Sequence, residues 1–571
     1  MDIQKFILFL IFSTSMLFLW EAWQKEQRPP SVMPPAVTTP GSAGAPTTPA
    51  RAQDETPVPG EKLVSTQPGK GEPAADSAAL VKSAGKLESG EKIVVKTDMV
   101  VAEIDTAGGD LRRLELLHHP DKEDRSKPFA LLESEGENVY IAQSRLIGEG
   151  LPNHKTRYAA DSGVYNLAAG QDKIEVRLVA PETDGLQVTK VYTFHRGSYI
   201  IDVSFEVANK GSTAIQPFSY FQMLRDSDPP AGSIFMIPTY TGAALYTEED
   251  KFKKIEFSAL DKGNATYPKN ADNGWIAMLQ HYFLTAWLPK NNLPREFYAK
   301  RLGENEYSAG VIVPVGRIEP GSTASITVPL YAGPEEQSKL ASLAPGLDLT
   351  VDYGWLTVIG APLFWLLSLY HSWTGNWGVA IILLTMSVKL AFFPLSAAGY
   401  RSMAKLRVVT PKLQRLREQH GNDRQRMHQA MMEFYKTEKI NPMGGCLPIL
   451  VQIPVFISLY WVLLASVELR YATWLWIEDL SSPDPYYILP VLMGISMFVQ
   501  SKLSPQPTDP IQAKVMQIMP FAFSVFFFFF PAGLVLYSLV NNMLSIAQQW
   551  QITRMIEGAA AKSGIPAIKK K

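Results

Sequence analysis

The run Ala380-Ile381-Ile382-Leu383-Leu384-Thr385-Met386-Ser387-Val388-Lys389-Leu390-Ala391-Phe392-Phe393 is apolar except for two hydroxyls and one lysine. Lying within the apolar segment 377–395, it reads as a membrane span. A cation there faces protein or water, because hydrocarbon cannot solvate it. Thr385 is one turn before Lys389 on the same helical face, and Ser396 lies close to that face, so a polar stripe is expected. A second reading stays open: Lys389 is about 10 Å from the cytoplasmic end by helical rise, close enough for its stem to snorkel to the headgroups.

Working outward, 396–446 carries Arg401, Lys405, Arg407, Lys412 and Arg415 among its cations, opposed only by Glu418, Asp423, Glu433 and Glu438. The Lys/Arg excess assigns it to the cytoplasm. Helical periodicity breaks at His420-Gly421-Asn422-Asp423 and stops at Asn441-Pro442, which predicts a basic helical hairpin. Its positive face suits nucleic acid, anionic lipid or acidic protein, or merely sets topology. If 355–370 also crossed the membrane, the hairpin would lie on the exported side. The segment 355–374 is therefore read as an interfacial amphipathic helix, with Trp355, Trp365, Tyr370 and Trp373 at headgroup depth.

Further spans are expected at 447–466, 486–502, 515–530 and 533–552, followed by a basic cytoplasmic tail, 553–571. The loop 467–485 sets Glu468, Glu478, Asp479 and Asp484 against Arg470 and reads as exported. As one helix, 515–550 would be about 54 Å long against a core of about 30 Å, and Pro531-Ala532-Gly533 interrupts it, so a hairpin of two spans fits. Tyr537, Asn541 and Ser545 recur at i, i+4 and i+8, with Ser538 and Asn542 beside them, and Gln452 lies on the third span. Amides in hydrocarbon need partners, so these residues are either interhelical glue or the lining of one wet groove. No second intramembrane charge is evident, which weighs against ion-coupled transport.

Upstream, 1–23 is apolar from Phe6 to Trp20 and lacks a small-x-small cleavage pattern; an uncleaved signal-anchor span is read there, a cleaved signal peptide being the alternative. Residues 24–90, rich in Pro, Ala, Thr, Ser and Gly, form a disordered tether. From 91 to 348 short alternating runs such as Ile201-Asp202-Val203-Ser204-Phe205-Glu206-Val207 predict a large exported antiparallel β-sandwich with a small helix at 334–341. The fold class is thus a polytopic α-helical membrane protein of six spans plus a β-sandwich. Over 571 residues, 54 Lys+Arg balance 55 Asp+Glu, against nucleic-acid binding through global charge. The single cysteine, Cys446, excludes an internal disulfide framework and is expected to pack. Neither H-E-x-x-H nor a Walker A sequence occurs, and His118-His119 before Pro120-Asp121 reads as a surface turn. No catalytic residue, metal site or cofactor is indicated.

The strings Ser402-Met403-Ala404-Lys405-Leu406-Arg407, Pro411-Lys412-Leu413, Glu433-Phe434-Tyr435-Lys436, Asn441-Pro442-Met443-Gly444-Gly445-Cys446-Leu447-Pro448, Gln452-Ile453-Pro454-Val455-Phe456 and Pro531-Ala532-Gly533-Leu534-Val535-Leu536-Tyr537 resemble the bacterial YidC membrane-protein insertases. Asp484-Pro485-Tyr486-Tyr487-Ile488-Leu489-Pro490 does so too. The likeness covers about 355–556 and, by layout, the anchor, tether and β-domain of Gram-negative members. It implies a five-helix core around a hydrophilic groove that receives the polar flank of a nascent hydrophobic segment, with no covalent chemistry. The implied partners are nascent membrane proteins, the Sec translocon, membrane lipids and the ribosome or signal-recognition machinery, but not DNA. It also implies an inner-membrane location with both termini cytoplasmic, and an exported domain resembling a galactose-mutarotase-like β-supersandwich.

On this reading Lys389, Thr385, Tyr537, Asn541 and Gln452 line the groove, and Arg401, Lys405, Arg407, Lys412 and Arg415 meet ribosome or substrate. Two departures stand out: the groove cation is commonly Arg, and Ser538 replaces a second Tyr. Competing classes are a small-solute transporter, which predicts internal repeats that are not seen, and a membrane-anchored carbohydrate-binding domain, which predicts paired carboxylates among the strands.

Overall fold

The computed structural model describes residues 89–121, 124–135, 139–227, 240–420, 424–437, 447–503 and 510–562. The expected anchor (1–23), most of the tether, Cys446 and the last part of the tail lie outside the described residues. The chain divides into a strand-rich unit that ends at Asp352 and a helical unit that begins at Tyr353.

Two sheets build the strand-rich unit, one of ten strands and one of nine. Period-2 patterning made them: in Ile200–Asn209, Ile201, Val203, Phe205 and Val207 are buried while Asp202, Ser204 and Glu206 are half-exposed. That strand is central in the second sheet, Val203 standing opposite Tyr192 on one side and Val328 on the other. In the first sheet Phe218–Asp226 lies between Tyr140–Ile147 and Glu306–Pro314. Inner faces of both sheets share one core, where Phe221 meets Phe205 (ring centroids 6.1 Å apart) and Trp287 (5.0 Å).

The expected β-sandwich is therefore present, with one parallel pairing, Lys92–Lys96 against Val164–Asn166. A short helix, Phe257–Asp261 (α1), interrupts the strands. The expected helix near 334–341 is Gln337–Leu343 (α2). His118 and His119 are not in a turn: the strand Asp110–Pro120 carries them, because its pairing with Pro128–Leu132 continues to Pro120↔Pro128, and His119 packs edge-on to Phe283 at 5.4 Å.

Two cations are buried in this unit. Lys190 Nζ donates to Gly109 O (2.7 Å) and Ser144 O (2.8 Å). The Arg295 guanidinium donates to the carbonyls of Leu293, Gly274, Pro289, Asp272 and Lys290. Burial pushes the Lys190 amine down to about 7, against a pull upward from Asp110, and pushes Arg295 down to about 10.

The helical unit consists of Thr357–Thr374 (α3), Trp377–Ala391 (α4), Phe393–His420 (α5), Arg424–Thr437 (α6), Leu447–Ala465 (α7), Ile488–Leu503 (α8), Pro510–Phe526 (α9) and Ala532–Lys562 (α10). Gly375, in the left-handed conformation (φ 65°), ends α3, and Asn376 caps α4 by accepting from the Val379 N–H at 3.1 Å.

The segment 377–395 is not one helix. It stops at Ala391 and bends by 67° into α5. Pro394 has no N–H for the Leu390 carbonyl, which explains a break at this point. The last helix runs through 552 to Lys562, so the first part of the segment 553–571 is helical, not tail. Among the described residues no single helix is long and apolar enough to cross a membrane by itself; the bent pair Trp377–Ala391 with Phe393–Lys405 passes that test together.

The hairpin α5–α6 forms around Val409 and Leu413 packed with Phe434 and Tyr435. The first half of α5 lies instead on α10, through Ala397 and Tyr400 against Ile552. The acidic loop after α7 is more ordered than an exposed charge bias suggests. Asp479 and Asp484 are buried, Asp479 accepting from Ser481 and Ser482 and Asp484 from the Trp476 indole (3.1 Å) and the Leu489 N–H (2.7 Å). Carbonyls of Ser482 and Leu480 accept from the N–H groups of Ala532 (2.7 Å) and Gly533 (2.9 Å), satisfying donors that the first turn of α10 leaves open.

Candidate functional site

The residues that depart from apolar patterning converge on α10. Tyr537 and Asn541 face α7, where Gln452 Nε2 donates to Tyr537 Oη (3.0 Å) and to Asn541 Oδ1 (3.3 Å). One turn further, Ser545 accepts from Lys389 Nζ of α4 at 2.7 Å and donates to its own helix at the Asn541 carbonyl, 2.8 Å away. Lys389 is 6% exposed. Its ammonium is bonded to α10 within the bundle.

The structure thus joins Lys389, Asn541, Gln452 and Tyr537 into one chain of polar contacts. Thr385 stays out of it: fully buried, it donates to the Ile381 carbonyl of its own helix at 2.7 Å. Arg401, Lys405, Lys412 and Arg415 are exposed along α5, and Arg407 lies on the same helix.

Several participants were missed. Tyr400 of α5 lies beside Ser545, and Ser496 of α8 accepts from Asn542 Nδ2 at 2.8 Å. Neither had a signal of its own, since a lone hydroxyl in a helix is common and its partner lies on a distant segment. Gln549 and Thr553 did have one. The four-residue spacing of Tyr537, Asn541 and Ser545 continues through both, and both are buried. The polar seam therefore spans four steps of four residues, about 24 Å of helix. Ser458 and Gln549, both buried, and the half-buried Gln548 each have one side-chain oxygen without a hydrogen-bond partner among the described residues.

The strand-rich unit holds a cavity of about 530 Å³ on the outer face of its second sheet, bordered by His195, Asp202, Glu248, Trp275 and Lys290. His195 Nε2 and Asp202 Oδ2 are 2.8 Å apart. No group of three or more potential metal-ligating side chains occurs among the described residues.

A helical bundle threaded by a polar seam with one cation, following a β-sandwich in the chain, defines a class of two-part protein. Residues 92–366 match the family model described as YidC periplasmic domain, and 369–559 match that of the 60Kd inner membrane protein. Membrane protein insertase YidC of Nitrosospira multiformis is 79% identical over 564 residues, covering 99% of both chains. Its counterpart in Nitrosomonas europaea is 66% identical over 568 residues, covering 98% of this chain and 92% of that one. A solved structure described as an active YidC insertase with its first transmembrane domain resolved is 18% identical, covers 82% of this chain and 94% of that chain, and aligns with a TM-score of 0.38. The chain belongs to the YidC family of membrane protein insertases.

Proposed function

We propose that this protein inserts nascent membrane proteins into the inner membrane through a hydrophilic recess lined by Lys389, Gln452, Tyr537 and Asn541, without covalent chemistry. The observation that carries the reading is the seam itself: a cation and a row of amides and hydroxyls buried in a bundle whose exterior is apolar, as at Val491, Ile495, Phe521 and Phe526. A polar interior shortens the hydrocarbon that a substrate's hydrophilic flank must cross, and Lys389 lowers the desolvation barrier for an acidic tail. The substrate's own hydrophobic segment then partitions into lipid.

In this reading the chain crosses the bilayer six times with both termini cytoplasmic and the β-sandwich exported. The Lys/Arg excess on α5 supports that orientation and offers a face to the ribosome, signal-recognition machinery or anionic lipid. Larger substrates are handed over beside the Sec translocon. Photo-crosslinkers at positions 452 and 537 test the reading: a ribosome-stalled single-span protein should crosslink at both sites while its hydrophobic segment is partly emerged, and absence of crosslinks at both rejects the groove.

A further inference from the structure

Ser545 occupies a special place in the seam. A hydroxyl has one hydrogen and two acceptor lone pairs. The Ser545 hydrogen is committed to the Asn541 carbonyl at 2.8 Å, and that bond orients the lone pairs outward from α10. One receives Lys389 Nζ at 2.7 Å. Lys389 ends α4, Tyr400 lies on α5, and the 67° bend falls between them. One serine oxygen therefore ties the end of α4 to α10 just before the bend.

We propose that Ser545 is the positioning residue for the groove cation: it holds the Lys389 ammonium in the seam while no substrate is present, and its oxygen is what a substrate carboxylate displaces or joins. The inference rests on the groove reading above and adds the element that places the charge. Lys389 faces no carboxylate among the described residues, and Ser545 is its hydrogen-bond partner there. An ammonium has three donors, so one neutral acceptor leaves it incompletely satisfied and available to an anion. A carboxylate partner would have neutralised the site; an apolar one would leave the long stem free to turn toward headgroups. A neutral hydroxyl anchored to its own helix does neither.

The test uses the full-length protein and paired single-span substrates whose exported tails differ only in Asp versus Asn, with insertion normalised to the amount of variant in the membrane. Ser545→Ala should lower the Asp-tail to Asn-tail insertion ratio about fivefold to tenfold, the scale of one net hydrogen bond. Ser545→Thr should restore the ratio, and Ser545→Ala combined with Lys389→Met should be no worse than Lys389→Met alone. If Ser545→Ala does not accumulate, Ser545→Cys, similar in volume with a weakly accepting sulfur, is read in its place. An unchanged ratio in the serine variants, or additive losses in the double variant, overturns the positioning role. If Lys389→Met lowers the ratio and the serine variants do not, the groove stands and the role of Ser545 falls. If Lys389→Met leaves the ratio unchanged and position 537 yields no crosslink, the groove reading fails and this inference fails with it.

Discussion

The two units bury cations on opposite terms. In the β-sandwich, Arg295 is wrapped by five backbone carbonyls and Lys190 by two, so each is held by acceptors fixed in strands and turns. In the helical bundle, Lys389 is buried to a similar degree yet meets one serine hydroxyl. A buried charge held by several acceptors fixed in the backbone is part of the scaffold. One that is under-filled keeps affinity in reserve for a visitor. Burial alone does not separate the two; counting donors against acceptors does.

The sharpest way to break this contrast is to remove each cation. Arg295→Met orphans several carbonyls at once and should destabilise the β-sandwich by about 3–5 kcal/mol, read as a lowered midpoint in chemical unfolding of the detergent-solubilised full chain followed by tryptophan fluorescence. Lys389→Met should leave stability within about 1 kcal/mol or raise it, since replacing an under-partnered buried charge with a hydrophobe relieves desolvation. Insertion of an Asp-tailed substrate should nevertheless fall about tenfold. If Lys389→Met unfolds the bundle as Arg295→Met unfolds the sandwich, the distinction is lost.

A pH titration sharpens the scaffold side. Burial lowers the Lys190 amine from 10.5 to about 7, so between those values the unfolded chain binds the proton and the folded chain does not. Stability of the sandwich should therefore rise with pH from about 7 to 10.5, with a slope of at most about 1.4 kcal/mol per unit for one proton, and this contribution is lost as pH falls through 7. Unfolding midpoints at pH 7, 8 and 9 measure it, and Lys190→Met should flatten the profile. The smallest effect is expected at Gln452→Leu, which removes an amide without changing charge. Insertion should fall about threefold and equally for Asp and Asn tails, a loss worth under about 1 kcal/mol; unequal losses would mean that Gln452 acts through Lys389.

Much of this was legible in the chain because two periodicities are short-range. Alternation in Ile200–Asn209 identified a strand, and the four-residue repeat from Tyr537 identified a polar helix face. Lys389 stood out because charge in an apolar run is rare. What stayed hidden depends on partners far along the chain: the pairing of Lys389 with Ser545 and the order of strands in two large sheets. The bend after Ala391 had a visible cause in Pro394, yet continuous hydropathy across 377–395 outweighed it. Asp479 and Asp484 read as an exported charge signature, while their carboxylates serve as acceptors for nearby N–H and O–H groups; composition cannot tell a solvated carboxylate from a capping one.

That capped loop has an electrical consequence. In the proposed orientation the seam admits water from one side, and the far end of α10 is stopped by the Ser482 and Leu480 carbonyls bound to its first N–H groups, with Asp484 tying the Trp476 indole to the start of α8. A membrane potential is worth about 2.3 kcal/mol per elementary charge for each 100 mV. With the seam wet, most of that drop concentrates across this short plug. On the proposed reading the plug would be the insulator of the device, keeping the membrane potential from leaking through the seam and focusing the field on the last stretch an acidic tail would cross.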